Sequence, residues 1–281
     1  MSARGVDREG PVRAELVAVG LNRVDAAVYG DEATLEGCLN DAEAMVRLCR
    51  DRGIAPAGVL LDGGATRAGL ASVLGGMASW LGPGDLGVFA YAGHGSQVED
   101  GSGGDEAVAD GLDETLVLYD GMLRDDELNG LLAGFAPGVR LLVLLDCCHS
   151  GSGTRVFARG RTGPAGERVR ALPRRFAATA ETRQEASGLV EAPRTAVRAD
   201  VVTWSACRDE ETAGDSGRFG GRVHGTFTAA LLDAWAGGTF AGSLVSLHGA
   251  VRHRIRGRQN PVLSNEGPTS YRLLRQRPFL P

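Results

Sequence analysis

Two apolar runs in this chain end in residues able to carry out nucleophilic chemistry. LLVLLDCCHSGSG (141–153) stops at an acid, two adjacent thiols and an imidazole, then turns through glycine and serine. VFAYAGHG (88–95) stops at a histidine between two glycines. Strands ending side by side would bring His94 to one of the tandem cysteines, since neighbouring strands lie only ~4.8 Å apart. Free cysteine has a pKa of about 8.5, so a nearby imidazole helps form the thiolate and later returns a proton to the leaving group. Gly95 and the glycines after the cysteines would let backbone N–H groups approach a developing oxyanion. His149 is a competing base, but its place beside the cysteine in sequence points it away from the thiol. Each feature has a plainer reading, as a structural histidine and as small buried hydrophobes; their joint occurrence in this order favours the dyad.

The elements that must position these groups read as an α/β alternation. ELVAVGL (15–21), AGVLLD (57–62), LGVFAYA (86–92), LLVLLD (141–146) and DVVTWSA (200–206) have strand length, and TSYRLL (269–274) is a weaker sixth. Their near-continuous apolarity suits strands covered on both faces, as in a parallel sheet. A helix is expected after the first strand, with Asn40 as N-cap and Glu43 three residues on. Leu70, Val73, Leu74, Met77 and Leu81 mark a second helix by their spacing, and others are expected at 125–134, 226–236 and 243–257. The pattern predicts a three-layer α/β fold, a mostly parallel six-stranded sheet flanked by helices. In such sheets sites form beyond the carboxyl ends of the strands. Residues 1–13 read as a tail and 14–281 as one domain. Within it, 99–114 reads as an acidic surface loop and 155–198, with ten arginines, as an exposed insertion.

Composition narrows the partners. With 43% hydrophobic and 23% charged residues the chain reads as a soluble globular protein. A net charge of −5 recommends neither nucleic acid nor an anionic membrane. All 30 basic residues are arginine. Five cysteines, an odd number without a CxxC pair, suit a reducing, cytoplasmic compartment. MSARGVDREG lacks the apolar stretch of a signal peptide, and no run approaches membrane-spanning length.

Taken together, the motifs resemble the caspase–haemoglobinase superfamily, and within it the metacaspases and bacterial caspase-like proteases (orthocaspases). AVGLNRVDA, LEGCLNDAEAM, YAGHGSQ, DCCHSG, SACRDEETAGD and HGTFTAALLDAW match successive segments of that family in order, over nearly the whole chain from about residue 14. The histidine–cysteine separation is 148 − 94 = 54 residues, against ~50 in animal caspases. The resemblance implies Cys148 as nucleophile, His94 as base, and backbone N–H groups of Gly95 and Cys148 as the oxyanion site. It implies an S1 pocket drawn from Asp41, Asp146, Cys38 and Ala92, with Ser205 and Ala206 aligning the substrate backbone. Two carboxylates in a partly desolvated pocket favour a guanidinium, so the expected activity is an endopeptidase cleaving protein or peptide substrates after arginine. Asp41 also has a plain reading as a first-turn helix acid.

Ca2+ activation is implied as well, through Asp113, Asp125 and Asp126, whose hard oxygens suit that ion. This chain departs from the family in having Arg155 where another acid often follows the cysteine motif, and Ala92 where many relatives have serine. Self-processing within the arginine-rich insertion is expected, with RVFARGRTG (155–163) and LPRRFAATA (172–180) as candidate segments. A regulatory protein partner is compatible with this reading. Two alternatives differ in class. A cysteine-dependent phosphatase would need five residues between Cys148 and Arg155, where there are six. A caspase-like adaptor without activity would usually have lost one member of the dyad, and this chain retains both.

Overall fold

The computed structural model describes residues 10–99, 112–148, 168–172, 176–181, 195–208, 211–256 and 259–281. Six strands form the central sheet: β1 (Ala14–Gly20), β2 (Ala55–Leu61), β3 (Leu86–Ala92), β7 (Arg140–Asp146), β8 (Asp200–Ser205) and β11 (Val262–Glu266). Their order is β11-β8-β7-β3-β1-β2, parallel throughout except at the β11–β8 edge. Successive side chains of a strand face opposite ways, and the apolar residues divide accordingly. Val17, Val19, Phe89, Tyr91, Leu141, Val143 and Leu145 enter one core; Leu16, Ala18, Val88, Ala90, Leu142 and Leu144 enter the other.

Helices α1 (Ala26–Tyr29), α3 (Arg67–Trp80), α4 (Asp125–Ala133) and α5 (176–181) contribute to the first core. The second is covered by α2 (Cys38–Arg50), α6 (Thr226–Trp235), α7 (Leu244–Arg254) and α8 (Ser270–Arg275). The expected three-layer sandwich is therefore present. The chain leaves β1 for the edge strand β2, then returns to place β3 on the other side of β1. That reversal opens a crevice at the carboxyl ends of β1 and β3. No helix among the described residues is long and apolar enough to cross a membrane.

Three local expectations differ from the structure. TSYRLL does not supply the sixth strand: Ser270–Arg275 is helix α8, whose buried residues Ser270 and Leu273 are three apart, and Val262–Glu266 pairs antiparallel with β8 instead. As an edge strand, VLSNE is mostly exposed and carries little apolar signal. Asn40 does not cap α2, which begins at Cys38. The cap comes from Asn22, whose Oδ1 accepts from Cys38 N–H at 2.9 Å, while Asn40 Nδ2 donates to the Val223 carbonyl at 2.7 Å. Finally, part of the acidic stretch is sheet. β4 (Gly95–Glu99), β5 (Leu112–Leu118) and β6 (Gly121–Arg124) form an antiparallel trio; residues 100–111 lie outside the described residues. A short hairpin, β9 (Gly217–Phe219) and β10 (Arg222–His224), turns through Gly220 and Gly221 at positive φ.

Candidate active site

Strand register sets the geometry of the expected dyad. Ala92 of β3 pairs with Asp146 of β7, so His94 and Cys148 each stand two residues beyond paired positions on adjacent parallel strands. The two loops touch, because a Cβ on Gly95 would fall on the carbonyl oxygen of Cys148. His94 is held on both sides. Its carbonyl accepts from Val117 N–H at 3.1 Å and from the Tyr91 hydroxyl at 2.7 Å, and its Nε2 lies 2.6 Å from the carbonyl oxygen of Ala33. A carbonyl oxygen can only accept, so Nε2 carries the proton and Nδ1 is the basic nitrogen of the neutral ring. Cys148 is buried, with its Sγ accepting from Ala213 N–H at 2.6 Å. Cys207 sits beside it; its thiol is pushed far up, first by a hydrogen bond with Cys148 and then by burial, so it stays protonated. Cys147 faces the other core and is likewise pushed up by burial.

A piece of the same chain lies against the Gly95 and Cys148 loops. Residues 168–172 form a strap that bends at Arg170. Arg170 N–H donates to the Ala213 carbonyl at 3.0 Å, Asp215 N–H to the Arg168 carbonyl at 2.8 Å, and Leu172 N–H to the Gly95 carbonyl at 2.8 Å. The carbonyl oxygen of Arg170 accepts from both Gly95 N–H (2.9 Å) and Cys148 N–H (3.3 Å). Those are the two donors expected to hold an oxyanion, and a peptide carbonyl occupies them.

The Arg170 side chain is fully buried among three carboxylates. Nη2 lies 2.5 Å from Asp41 Oδ2 and 2.9 Å from Asp215 Oδ1, Nε 3.2 Å from Asp215 Oδ1, and Nη1 3.1 Å from Asp146 Oδ2. Nη1 also donates to the Asp146 carbonyl at 3.0 Å. Burial works against the guanidinium charge, but the carboxylates, Asp146 first, keep it protonated. Asp146 is pushed up to about 6, chiefly by burial, with Arg170 pulling it down and Asp41 pushing it up. The acids are held in turn. Asp41 accepts from His224 Nδ1 at 2.7 Å and Gly225 N–H at 3.1 Å; Asp146 accepts from Thr228 N–H at 3.0 Å and its hydroxyl at 2.6 Å. Asp215 takes the N–H groups of Glu36 (2.7 Å) and Gly37 (3.1 Å). Side chains cannot replace Gly37 or Gly225, because a Cβ on either would press on these acids and on the Arg170 guanidinium.

Of the residues singled out in the sequence, Asp41, Asp146, Gly95 and Cys148 meet at this strap. Cys38 and Ala92 are buried together with Leu35. Ser205 and Ala206 do not align the strap. Ser205 lines a separate cavity of about 490 Å³ with Thr203 and Cys207, and the Ala206 carbonyl accepts from Gln259 Nε2 at 3.0 Å. The segment that pairs with the strap is Ala213–Asp215, through an isolated bridge at Gly214. Asp215 and the pair His224–Gly225 had a sequence signal, since they close TAGD and open HGTF. Arg170 had none beyond being one of ten arginines, and it lies between the two segments expected to be cut. RVFARGRTG and His149 lie outside the described residues.

The expected Ca2+ ligands are arranged differently from a metal site. Asp113, on β5, has its carboxylate 3.2 Å from the Arg124 guanidinium, which also faces Glu181 of α5 at 3.5 Å. Asp125 and Asp126 occupy the first turn of α4. Among the described residues no three His, Cys, Asp or Glu side chains are grouped to hold a metal. The Arg124 guanidinium beside Asp113 disfavours a divalent cation at that carboxylate.

This geometry has relatives. The caspase domain model of the C14 peptidases matches residues 22–271. The chain belongs to the caspase domain family. Among curated relatives, Metacaspase-1 of Cryptococcus neoformans is 26% identical over 92% of this chain and 63% of its own length. Metacaspase-2 of Trypanosoma brucei brucei is 29% identical over 66% of this chain and 53% of its own. The caspase domain described here thus spans about half to two thirds of the length of these relatives. The crystal structure of a Geobacter sulfurreducens protein superimposes with a TM-score of 0.81 at 37% identity, covering 95% of this chain and 98% of that one. Caspase-1 from Spodoptera frugiperda, at 14% identity and a TM-score of 0.52, shares the fold. Within the matched region the histidine and cysteine loops follow paired ends of adjacent parallel strands.

Proposed function

We propose that this protein is a cysteine endopeptidase that cleaves after arginine and cuts its own chain between Arg170 and Ala171. One observation supports this above all others. A buried arginine is enclosed by Asp41, Asp146 and Asp215 while its carbonyl oxygen sits on the N–H groups of Gly95 and Cys148. Side chain and scissile carbonyl of one residue thus occupy the specificity pocket and the oxyanion site together. Guanidinium suits three fixed carboxylates through directional, charge-assisted hydrogen bonds. An aspartate there would be repelled.

In the proposed reaction these groups act in the following order. His94, protonated on Nε2, accepts the thiol proton at Nδ1, and Cys148 Sγ forms a bond to the carbonyl carbon of the P1 arginine. Negative charge moves to the carbonyl oxygen, where each positioned N–H is worth about 10²–10³ in rate. The C–N bond then breaks, and the departing amine takes the proton from His94. Water attacks the thioester carbon and gives a proton to His94; the C–S bond breaks, releasing the arginine carboxylate and the thiol. Before that first cut the strap covers the Gly95 and Cys148 N–H groups, so substrates in trans must wait for it to leave.

Intact-mass measurement of wild type beside Cys148→Ala tests the proposal. Fragments ending at Arg170 and beginning at Ala171, present only in wild type, are expected. Labelling of Cys148 by a peptidyl-arginine chloromethylketone is expected after processing. Unbroken, unlabelled chains in both proteins would overturn it.

A further inference from the structure

The strap carries information beyond its P1 residue. Arg168 stands two positions before Arg170, and the antiparallel bridge between Val169 and Gly214 keeps the segment extended up to the bend. Residues two apart on an extended segment share a side. The P1 and P3 side chains therefore both face the acids, while Val169 turns the other way and is buried. The Arg168 guanidinium lies 2.5 Å from Glu36 Oε1, with both side chains about half exposed.

Glu36 is not a loosely placed surface acid. Its N–H donates to Asp215 Oδ2 at 2.7 Å, and the next N–H, of Gly37, donates to Oδ1 of the same carboxylate at 3.1 Å. Asp215 N–H in turn holds the Arg168 carbonyl at 2.8 Å. One aspartate therefore supports the P1 guanidinium, the backbone of P3 and the loop that presents Glu36 to the P3 side chain. Among the ten arginines of the insertion, only Arg161 and Arg170 have another arginine two residues before them, Arg159 and Arg168.

We propose that Glu36 is a specificity-determining residue that selects a basic side chain at P3, so that the preferred substrates read Arg-X-Arg before the cut. This deepens the arginine-peptidase reading and rests on it. A half-exposed ion pair supplies about two- to fivefold in kcat/KM, a preference that fades in high salt.

The test uses internally quenched peptides with arginine at P1 and arginine, glutamine or glutamate at P3. They are offered to the Arg170→Ala protein, whose strap lacks its P1 anchor, with and without Glu36→Gln or Glu36→Arg. Arginine at P3 should lead glutamine by about two- to fivefold and glutamate by more. The preference should vanish in Glu36→Gln and invert in Glu36→Arg, with arginine at P1 still required. Equal rates for the three peptides, or a preference that survives Glu36→Gln, would overturn the P3 assignment alone. If no peptide is cut by any of these forms, nor by wild-type protein carrying no Arg170 substitution, the peptidase reading fails and this inference goes with it.

Discussion

Replacing Arg170 by alanine in a Cys148→Ala background, where no cut can occur, removes the one arginine that, among the described residues, pairs with Asp41, Asp146 and Asp215. The lost interactions are five, between 2.5 and 3.2 Å, from a side chain with no exposed surface. Taking one partner from a buried, hydrogen-bonded ion network costs about 3–5 kcal/mol. The strap could instead lift away and let water reach the acids. That route forfeits the burial of Val169 and Leu172, at about 1.5–3 kcal/mol for each such side chain. Either way a loss of about 3 kcal/mol or more is expected in urea unfolding, with Tm falling about 2–4 °C for each kcal/mol. A peptide ending in arginine should then stabilise the double variant, by about 2.7 kcal/mol at a hundred times its Kd. The same peptide should leave Cys148→Ala unchanged, because its pocket is already filled. A loss below about 1 kcal/mol, the scale of an exposed ion pair, would refute the reasoning. So would equal stabilisation of both proteins by the peptide.

Other outcomes follow from the same geometry. Gly95→Ala puts a methyl on the Cys148 carbonyl and should lower kcat/KM by about 10²–10³ with circular dichroism unchanged; a loss below tenfold would count against the oxyanion assignment. With Asp146 at about 6, activity on arginine substrates should fall as pH drops through 6, and Asp146→Asn should lack that limb. The Arg170→Ala variant should show the limb at higher pH, since Arg170 pulls the Asp146 pKa down. For stability the sign is opposite to the usual aspartate: the folded pKa exceeds the unfolded value of about 3.9. The native state then holds the extra proton, so stability contributed by Asp146 declines as pH rises from about 4 to 6. A denaturant midpoint that instead rises relative to Asp146→Asn over that range would contradict the burial argument. Because Arg124 lies between Asp113 and Glu181, peptidase rates should be equal in chelator and in millimolar Ca2+; a large gain with Ca2+ would show that these acids rearrange around the ion.

The sequence by itself determined five of the six sheet strands, because near-continuous apolar runs of the right length specify strands buried on both faces, as LGVFAYA and LLVLLD do. It also determined where chemistry would sit: His94 and Cys148 follow directly from those runs, and a parallel register brings strand ends together without any long-range information. Local signals failed where local patterns were weak. TSYRLL looked strand-like until three-residue spacing buried Ser270 and Leu273 on a helix, and the edge strand VLSNE had too few apolar residues to be seen. Only the tertiary structure decided which acids form the pocket, since Asp41, Asp146 and Asp215 come from three segments, 146 − 41 = 105 and 215 − 146 = 69 positions apart along the chain. It alone chose Arg170 from ten similar arginines, because that choice depends on a backbone paired with Ala213–Asp215. It also set Arg124 against Asp113, where the order of residues suggested only a cluster of acids. Side-chain type and spacing are properties of the chain; a guanidinium enclosed by three carboxylates is a property of distances, and those exist only after folding.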